Sequence, residues 1–274
     1  MVIKNNVNAM NANRANDANQ IAKAKTKEKL SSGFKINRAA DDASGLAISE
    51  KMRRQIFALS EATANAQSGI SSIQTAEGAM GQVSDMLGRM NELAVKAGNE
   101  TLSAEDKYSI KSEMNALRSE IDRVAETTTF NGQKLLDGSF ADGKRIQVGA
   151  EVTDGNQISI NIGKMDWASL SGNGTFDIGN KSQIAETLDF IKGAMKNVAT
   201  MRSDMGATQN RLGNTISSLK NTTENTTAAE SAVRDTDMAQ EMVKFSLQNI
   251  LAKTNEAMQA HAKQSGGLAL RLLT

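Results

Sequence analysis

Histidine, cysteine and clustered carboxylates are the side chains from which chemistry would be built, and this chain holds few of them. His261 is the only histidine and cysteine is absent from all 274 residues. That excludes a histidine metal cluster, a serine–histidine relay, a cysteine nucleophile, a CxxC zinc site and a disulfide framework. The adjacent carboxylates Asp41 and Asp42 could act as an acid/base pair. Arg38 beside them, and a helix start just after them, favour capping and ion pairing instead. The glycine-rich pieces GSFADG and SGNGTFDIG lack the lysine and Ser/Thr of a phosphate loop, and no GxGxxG follows a strand, so both read as turns. Fourteen methionines could line a promiscuous groove, but many fall at helical spacing, where they fill seams. The residues therefore assign no catalytic group, no cofactor and no metal.

Composition then bounds the architecture. Apolar residues make up 39% of the chain, enough for a real core, yet aromatics are only 3% and Trp167 and Tyr108 stand alone as their types. Burial must come from Ala, Leu, Ile, Val and Met, which suit narrow helix seams. Proline is absent, where average usage of about 5% would supply roughly a dozen, so nothing interrupts long helices. A formal net charge of +1 argues against a nucleic-acid binder drawn by bulk electrostatics. No apolar run approaches the roughly 18 residues of a membrane span. The polar start MVIKNNVNAMNANRANDANQ has no signal-peptide core, so any export would proceed without a cleaved leader.

The elements that would position side chains are mostly helical. After Asp41–Asp42, apolar residues recur at steps of three and four: Met52, Ile56, Leu59, Ala66, Ile70, Ile73, Ala76, Met80, Val83, Leu87, Met90 and Ala94. A helix from about 44 to 97 would be roughly 80 Å long and needs a partner of similar length. Ile184, Leu188, Ile191, Met195, Val198, Met205, Leu212, Ile216 and Leu219 repeat the spacing and supply one. A shorter helix from about 104 to 127, with Ile110, Met114, Leu117, Ile121 and Val124, can pack as a third member. From about 137 to 180 the chain changes character. Turn signals at Asp137-Gly138, Asp142-Gly143 and Asp154-Gly155, with alternation at Ile146/Val148 and Ile158/Ile160/Ile162, predict a small β-hairpin. The fold class is mainly α: a long antiparallel coiled-coil-like bundle with a small hairpin region and no large inserted domain. Both ends are helical but weakly amphipathic, with Val2, Ile3, Val7, Met10 and Ile21 at one end and Met242, Phe245, Leu247, Ile250, Leu251 and Met258 at the other. Such tails gain stability only by meeting each other or neighbouring subunits.

Specific strings narrow the reading further. KLSSGFKINRAADDASGLAISEKMRRQI (29–56) closely resembles the amino-terminal signature of bacterial flagellins. NAQSGISSIQTAEGAM (65–80), LGRMNELAVKAGNET (87–101) and EIDRVAETTTFNGQKLL (120–136) continue it. IQVGA (146–150), GATQNRL (206–212) and AESAVRDTDMAQE (229–241) follow in the order of the carboxy-terminal family pattern. Two departures stand out: Asn16 lies near a position where the family usually has leucine, and the ending SGGLALRLLT lacks the common proline and terminal arginine.

The resemblance implies a non-enzymatic structural subunit that polymerises into the flagellar filament for motility. It implies an inner terminal domain from residues 1–43 and 235–274 and a rod domain from 44–234. It implies unfolded type III export, folding on assembly, and a final place outside the cell in the bacterial flagellum. The implied partners are other copies of the chain, an export chaperone on the carboxy-terminal helix, the filament cap, hook-associated proteins, and the host Toll-like receptor that senses flagellin. The family's receptor-contact positions fall on Arg89, Glu92, Leu93 and Glu113, the first three of which are spaced to share a helix face. The nearest rival is a hook-associated junction protein, which shares related terminal sequences. A flagellin-like peptidase is a second rival, and a lone histidine with no cysteine leaves it no metal site.

Overall fold

The absence of proline has the expected result in the computed structural model, which describes residues 6–171 and 178–271. Among the described residues three α-helices come first, two short hairpins follow, and three further α-helices end the order. α1 spans Val7–Ser32, α2 Ala43–Ala97 and α3 Ala104–Thr127. β1 (Thr129–Phe130) pairs antiparallel with β2 (Gln133–Lys134), and β3 (Lys144–Gln147) with β4 (Gln157–Ile160). α4 (Trp167–Ser171), α5 (Lys181–Arg234) and α6 (Met238–Arg271) complete the order. Val2 and Ile3, and residues 172–177 of the anticipated hairpin region, lie outside the described residues.

The chain divides into two compact units. One takes the chain up to Arg54 and from Asn225 onward; the other is Gln55–Glu224. The boundary thus falls about ten residues inside α2 and α5 from the positions 43/44 and 234/235 expected at their ends, because the first turns of α2 are tied to the end of α5. Arg234 makes that tie. Its guanidinium bonds Glu50 at 3.1 Å and lies 4.7 Å above the Phe34 ring, while its carbonyl accepts from Lys35 N–H.

Within Gln55–Glu224 the two apolar stripes face each other antiparallel. Leu59 and Ala62 cluster with Leu219, Glu77 reaches Arg202 at 3.9 Å, and a Cβ added at Gly98 would lie 4.0 Å from Ile184. As one number rises the other falls. Ile73, Met80, Val83, Leu87 and Met90 from α2 join Ile184, Ile191, Val198 and Leu212 from α5 in one buried cluster, with Ile70, Leu188 and Met195 packed against it. α3 contributes Ile110, Met114, Ile121 and Val124 as the third member. Its start is fixed by a capping box in which Ser103 accepts from Asp106 N–H and Asp106 accepts from Ser103 N–H. Two stripe residues differ from expectation: Met52 and Ile56 are half-buried and belong to neither apolar cluster, since the seam closes only from Leu59 onward.

The hairpin predicted from Ile146 and Ile158 is present, with Ile146 opposite Ile158. It seals one side of the core through Val148, Ile158, Ile160 and Ile162. The β1–β2 hairpin was not anticipated, although Asn131-Gly132 is a strong turn signal; its strands are too short to show alternation. Trp167, 1% exposed, plugs the core, and its backbone N–H donates to Asp122 Oδ1 at 2.8 Å.

Asp41 and Asp42 cap backbone, as expected, though the ion pairing with Arg38 does not form. Arg38 pairs with Glu28 at 2.9 Å instead. Asp42 Oδ1 accepts from Ser44 N–H, Ser44 O–H and Gly45 N–H at the start of α2, and Asp41 Oδ2 accepts from Asn37 and Arg38 N–H. The Arg38 and Asn37 amides hold the Asp41 carboxyl, and the Gly45 amide and Ser44 hydroxyl the Asp42 carboxyl, below the ordinary 3.8. Arg234 does the same to Glu50, ordinarily 4.5. A depressed folded value stabilises above the unfolded value and is lost as pH falls through the folded one. Acidification below pH 3.8 should therefore release the Asn37, Arg38 and Gly45 amides before the α2 interior, as read by hydrogen exchange. Asp42→Asn, which keeps an acceptor without the charge, should remove the pH dependence at Gly45.

Candidate assembly interface

α1 and α6 also pack antiparallel, but with unusual seam chemistry. Asn6 Nδ2 donates to the Ala262 carbonyl at 2.9 Å, Gln259 bonds Asn13, Asn19 Nδ2 donates to the Gln248 carbonyl at 3.0 Å, and Lys23 lies 6.0 Å from the Phe245 ring. Thr26 of α1 and Ala252 and Glu241 of α6 are also buried. On α1 it is the amides, at Asn6, Asn13, Asn16 and Asn19, that carry the helical spacing. That is why the tails read as weakly amphipathic. The seam is not fully matched either, since Asn16 Oδ1 and Gln248 Oε1 are buried without a hydrogen-bond partner in the chain. An unsatisfied buried acceptor costs about 1–3 kcal/mol.

The large apolar side chains point the other way. Val7, Met10, Ile21, Met242, Ile250 and Leu251, six of the seven residues anticipated for assembly, are exposed, Ile250 by 63%. Phe245, the seventh, is half-buried. Met238, Val243, Leu247 and Met258 extend the exposed set along α6, and Met238 and Val243 were not among the expected tail residues. Covering such a side chain is worth roughly 1.5–3 kcal/mol. A seam of amides with a greasy exterior is the reverse of a self-sufficient helix pair, and it fits docking between subunits.

A second surface gathers charge. Arg89 on α2 bonds Glu92 Oε2 at 3.2 Å and Glu113 Oε1 on α3 at 3.0 and 3.1 Å, which keeps the guanidinium pKa raised, with Glu113 the larger cause. All three are exposed, so the pairs themselves contribute little to stability. Leu93 departs from the expectation of a shared face. It is 2% exposed and sits in the core cluster beneath, because the step from Arg89 turns it inward toward Met90 and Ala94 on the buried side of α2. Sequence spacing also carried no sign of the Arg234 anchor, whose side chain is 12% exposed and whose second, longer pair is with Glu230. Among the described residues no group of His, Asp and Glu could hold a metal ion, and no helix is long and apolar enough to cross a membrane.

Comparison with known proteins accounts for nearly the whole chain. Residues 3–141 match the family model of the bacterial flagellin N-terminal helical region, and residues 188–273 that of the bacterial flagellin C-terminal helical region. The chain is 46% identical over 274 residues to a flagellin of Halalkalibacterium halodurans, covering all of both. It is 42% identical over 309 aligned positions to a flagellin of Bacillus subtilis, again covering all of both. A putative flagellar hook-associated protein of Vibrio parahaemolyticus aligns with a TM-score of 0.61 at 15% identity, over 71% of this chain and 100% of that one, a likeness of fold.

The burial of Leu93 separates two roles that spacing had merged. Leu93→Ala should lower the stability of the Gln55–Glu224 unit by about 2–5 kcal/mol through the cavity it leaves. Arg89→Ala should leave the melting curve almost unmoved. Chemical denaturation followed by Trp167 fluorescence checks both.

Proposed function

The chain belongs to the bacterial flagellin family and is a structural subunit of the flagellar filament; on that premise we propose that α1 and α6 complete their folding as neighbouring copies cover them. The observation that carries this is the outward apolar face of Val7, Met10, Ile21, Met242, Ile250 and Leu251 around an amide seam. Ordering two long helices costs backbone entropy, and a seam with unmatched amides offsets it poorly. Contacts that bury the outward residues supply the difference, so assembly and completion of the fold are one event. One interface repeated head to tail without closing gives an open helical polymer.

The same economy supports unfolded type III export ahead of assembly, with a chaperone on the α6 sequence shielding Met242, Leu247 and Ile250 in the cytoplasm. The filament cap and hook-associated proteins are the remaining proposed partners, and the destination is the flagellum outside the cell. Removal of residues 1–35 should leave a soluble helical monomer that does not extend filament seeds, as should Ile250→Asp in the full chain. Seeded growth followed by light scattering and electron microscopy checks both. Filaments of normal length from either variant would contradict the reading.

The charged triad supports a second partnership, with the Toll-like receptor that senses flagellin. Arg89, Glu92 and Glu113 make the contact in this reading, and Leu93 supports the helix surface from below. Arg89→Ala should weaken binding of the monomer to the receptor ectodomain by about tenfold or more, as loss of a well-placed charged contact does. Surface plasmon resonance would show it, and unchanged affinity would remove the triad from the contact.

A further inference from the structure

The β1–β2 turn is made by Asn131 and Gly132, with φ of 50° and 74°, the two left-handed residues that a type I′ turn requires. Asn131 is exposed. Among the described residues its side-chain amide has no hydrogen-bond partner, nor has the Gly132 N–H, and a Cβ on Gly132 would meet nothing within 4 Å. The hairpin is closed by only two residue pairs, Thr129 with Lys134 and Phe130 with Gln133. So short a ladder opens readily on its own. Asn131 also stands on the rim of a groove between α2 and the hairpins that Gln133, Lys144 and Arg145 line.

We propose that Asn131 is a site of spontaneous deamidation, and that its product places a carboxylate in the groove beside Lys144 and Arg145. The Gly132 backbone nitrogen, having lost its proton to hydroxide, attacks Asn131 Cγ. The Cγ–Nδ2 bond breaks, the nitrogen leaves as ammonia with a proton from water, and a five-membered succinimide joins the two residues. Water then adds to one of the ring carbonyls. Opening at Cγ leaves an ordinary aspartate in place of the asparagine; opening at the main-chain carbon leaves isoaspartate. The sum is amide plus water giving acid plus ammonia, with no change of oxidation state.

Three features concentrate the reaction here. Glycine offers no side chain to obstruct the approach. The attacking nitrogen is not held by a hydrogen bond, and the two-pair ladder lets the backbone rotate into the attack geometry. The nearby Asp-Gly steps differ: Asp137 Oδ1 already accepts from Ser139 N–H, and a carboxylate is a poorer electrophile than an amide. The aspartate product would keep the turn, since Asp-Gly also forms type I′. Isoaspartate would lengthen the main chain by one methylene and break the register of both pairs.

The test ages the purified full-length chain in mildly alkaline buffer and follows each asparagine by peptide mass spectrometry and released ammonia. The peptide holding Asn131 should convert faster than that of any other described asparagine. The same dipeptide at Asn173–Gly174, outside the described residues, is read on its own peptide. Gly132→Ala, with its helices verified by circular dichroism, should slow the conversion by about tenfold by crowding the nitrogen. Asn131→Asp should co-elute on ion exchange with the aged product and release no ammonia from this peptide. An intact Asn131 amide after other asparagines have converted, or an undiminished rate in Gly132→Ala, would overturn the proposal.

Discussion

The apolar seam between α2 and α5 is the interaction on which the rest depends. Leu59, Ile73, Met80, Leu87 and Met90 meet Ile191, Val198, Leu212 and Leu219 in a strip that excludes water. α3 and the β3–β4 hairpin then close it. Each such side chain contributes roughly 1.5–3 kcal/mol on burial, so a long run of them holds two helices whose own propensities would leave them marginal. The aromatic poverty of the chain is consistent with this geometry, because a strip one side chain wide has room for Ala, Met and Leu but for few rings. Trp167 fits where the hairpin and α3 make the core locally wider.

The tail helices invert that arrangement. Their contact is amide against backbone, with Thr26 and Ala252 buried, and Val7, Met10, Ile21, Met242, Ile250 and Leu251 face outward. A seam of this kind specifies register, since Asn6 and Asn19 each find one carbonyl, while leaving little net stability. The division of labour follows from the difference: one unit is held by burial within the chain, and the other keeps its apolar surface for neighbours.

Arg234 shows how the tail unit is fastened where α5 gives way to α6. One guanidinium bonds Glu50 of α2, stacks on Phe34 of the α1–α2 connection and stays mostly shielded from water. Around it, Thr236 N–H donates to the Gly33 carbonyl and Phe34 bridges Asp235. A shielded charge with fixed partners tolerates few alternative geometries. The carboxylates of Asp41 and Asp42, bound to free amides at the connection and at the start of α2, limit it from the other side.

By itself the sequence determined the helices and the pairing of the two long apolar stripes. Three-and-four spacing of apolar residues and an uninterrupted chain without proline are local signals, and each acts within a turn or two of helix. The same local reading predicted the hairpin that carries Ile146 and Ile158, though not its register. It could not place Leu93, because residues three and four apart straddle the edge of a stripe and only the packed core decides which side is covered. Nor could it find the amide seam of the tails, where apolar periodicity is the wrong quantity to follow, or the pairing of Arg234 with Glu50, which lies 184 positions away in the chain. Those depend on which surfaces meet, and tertiary structure alone sets that.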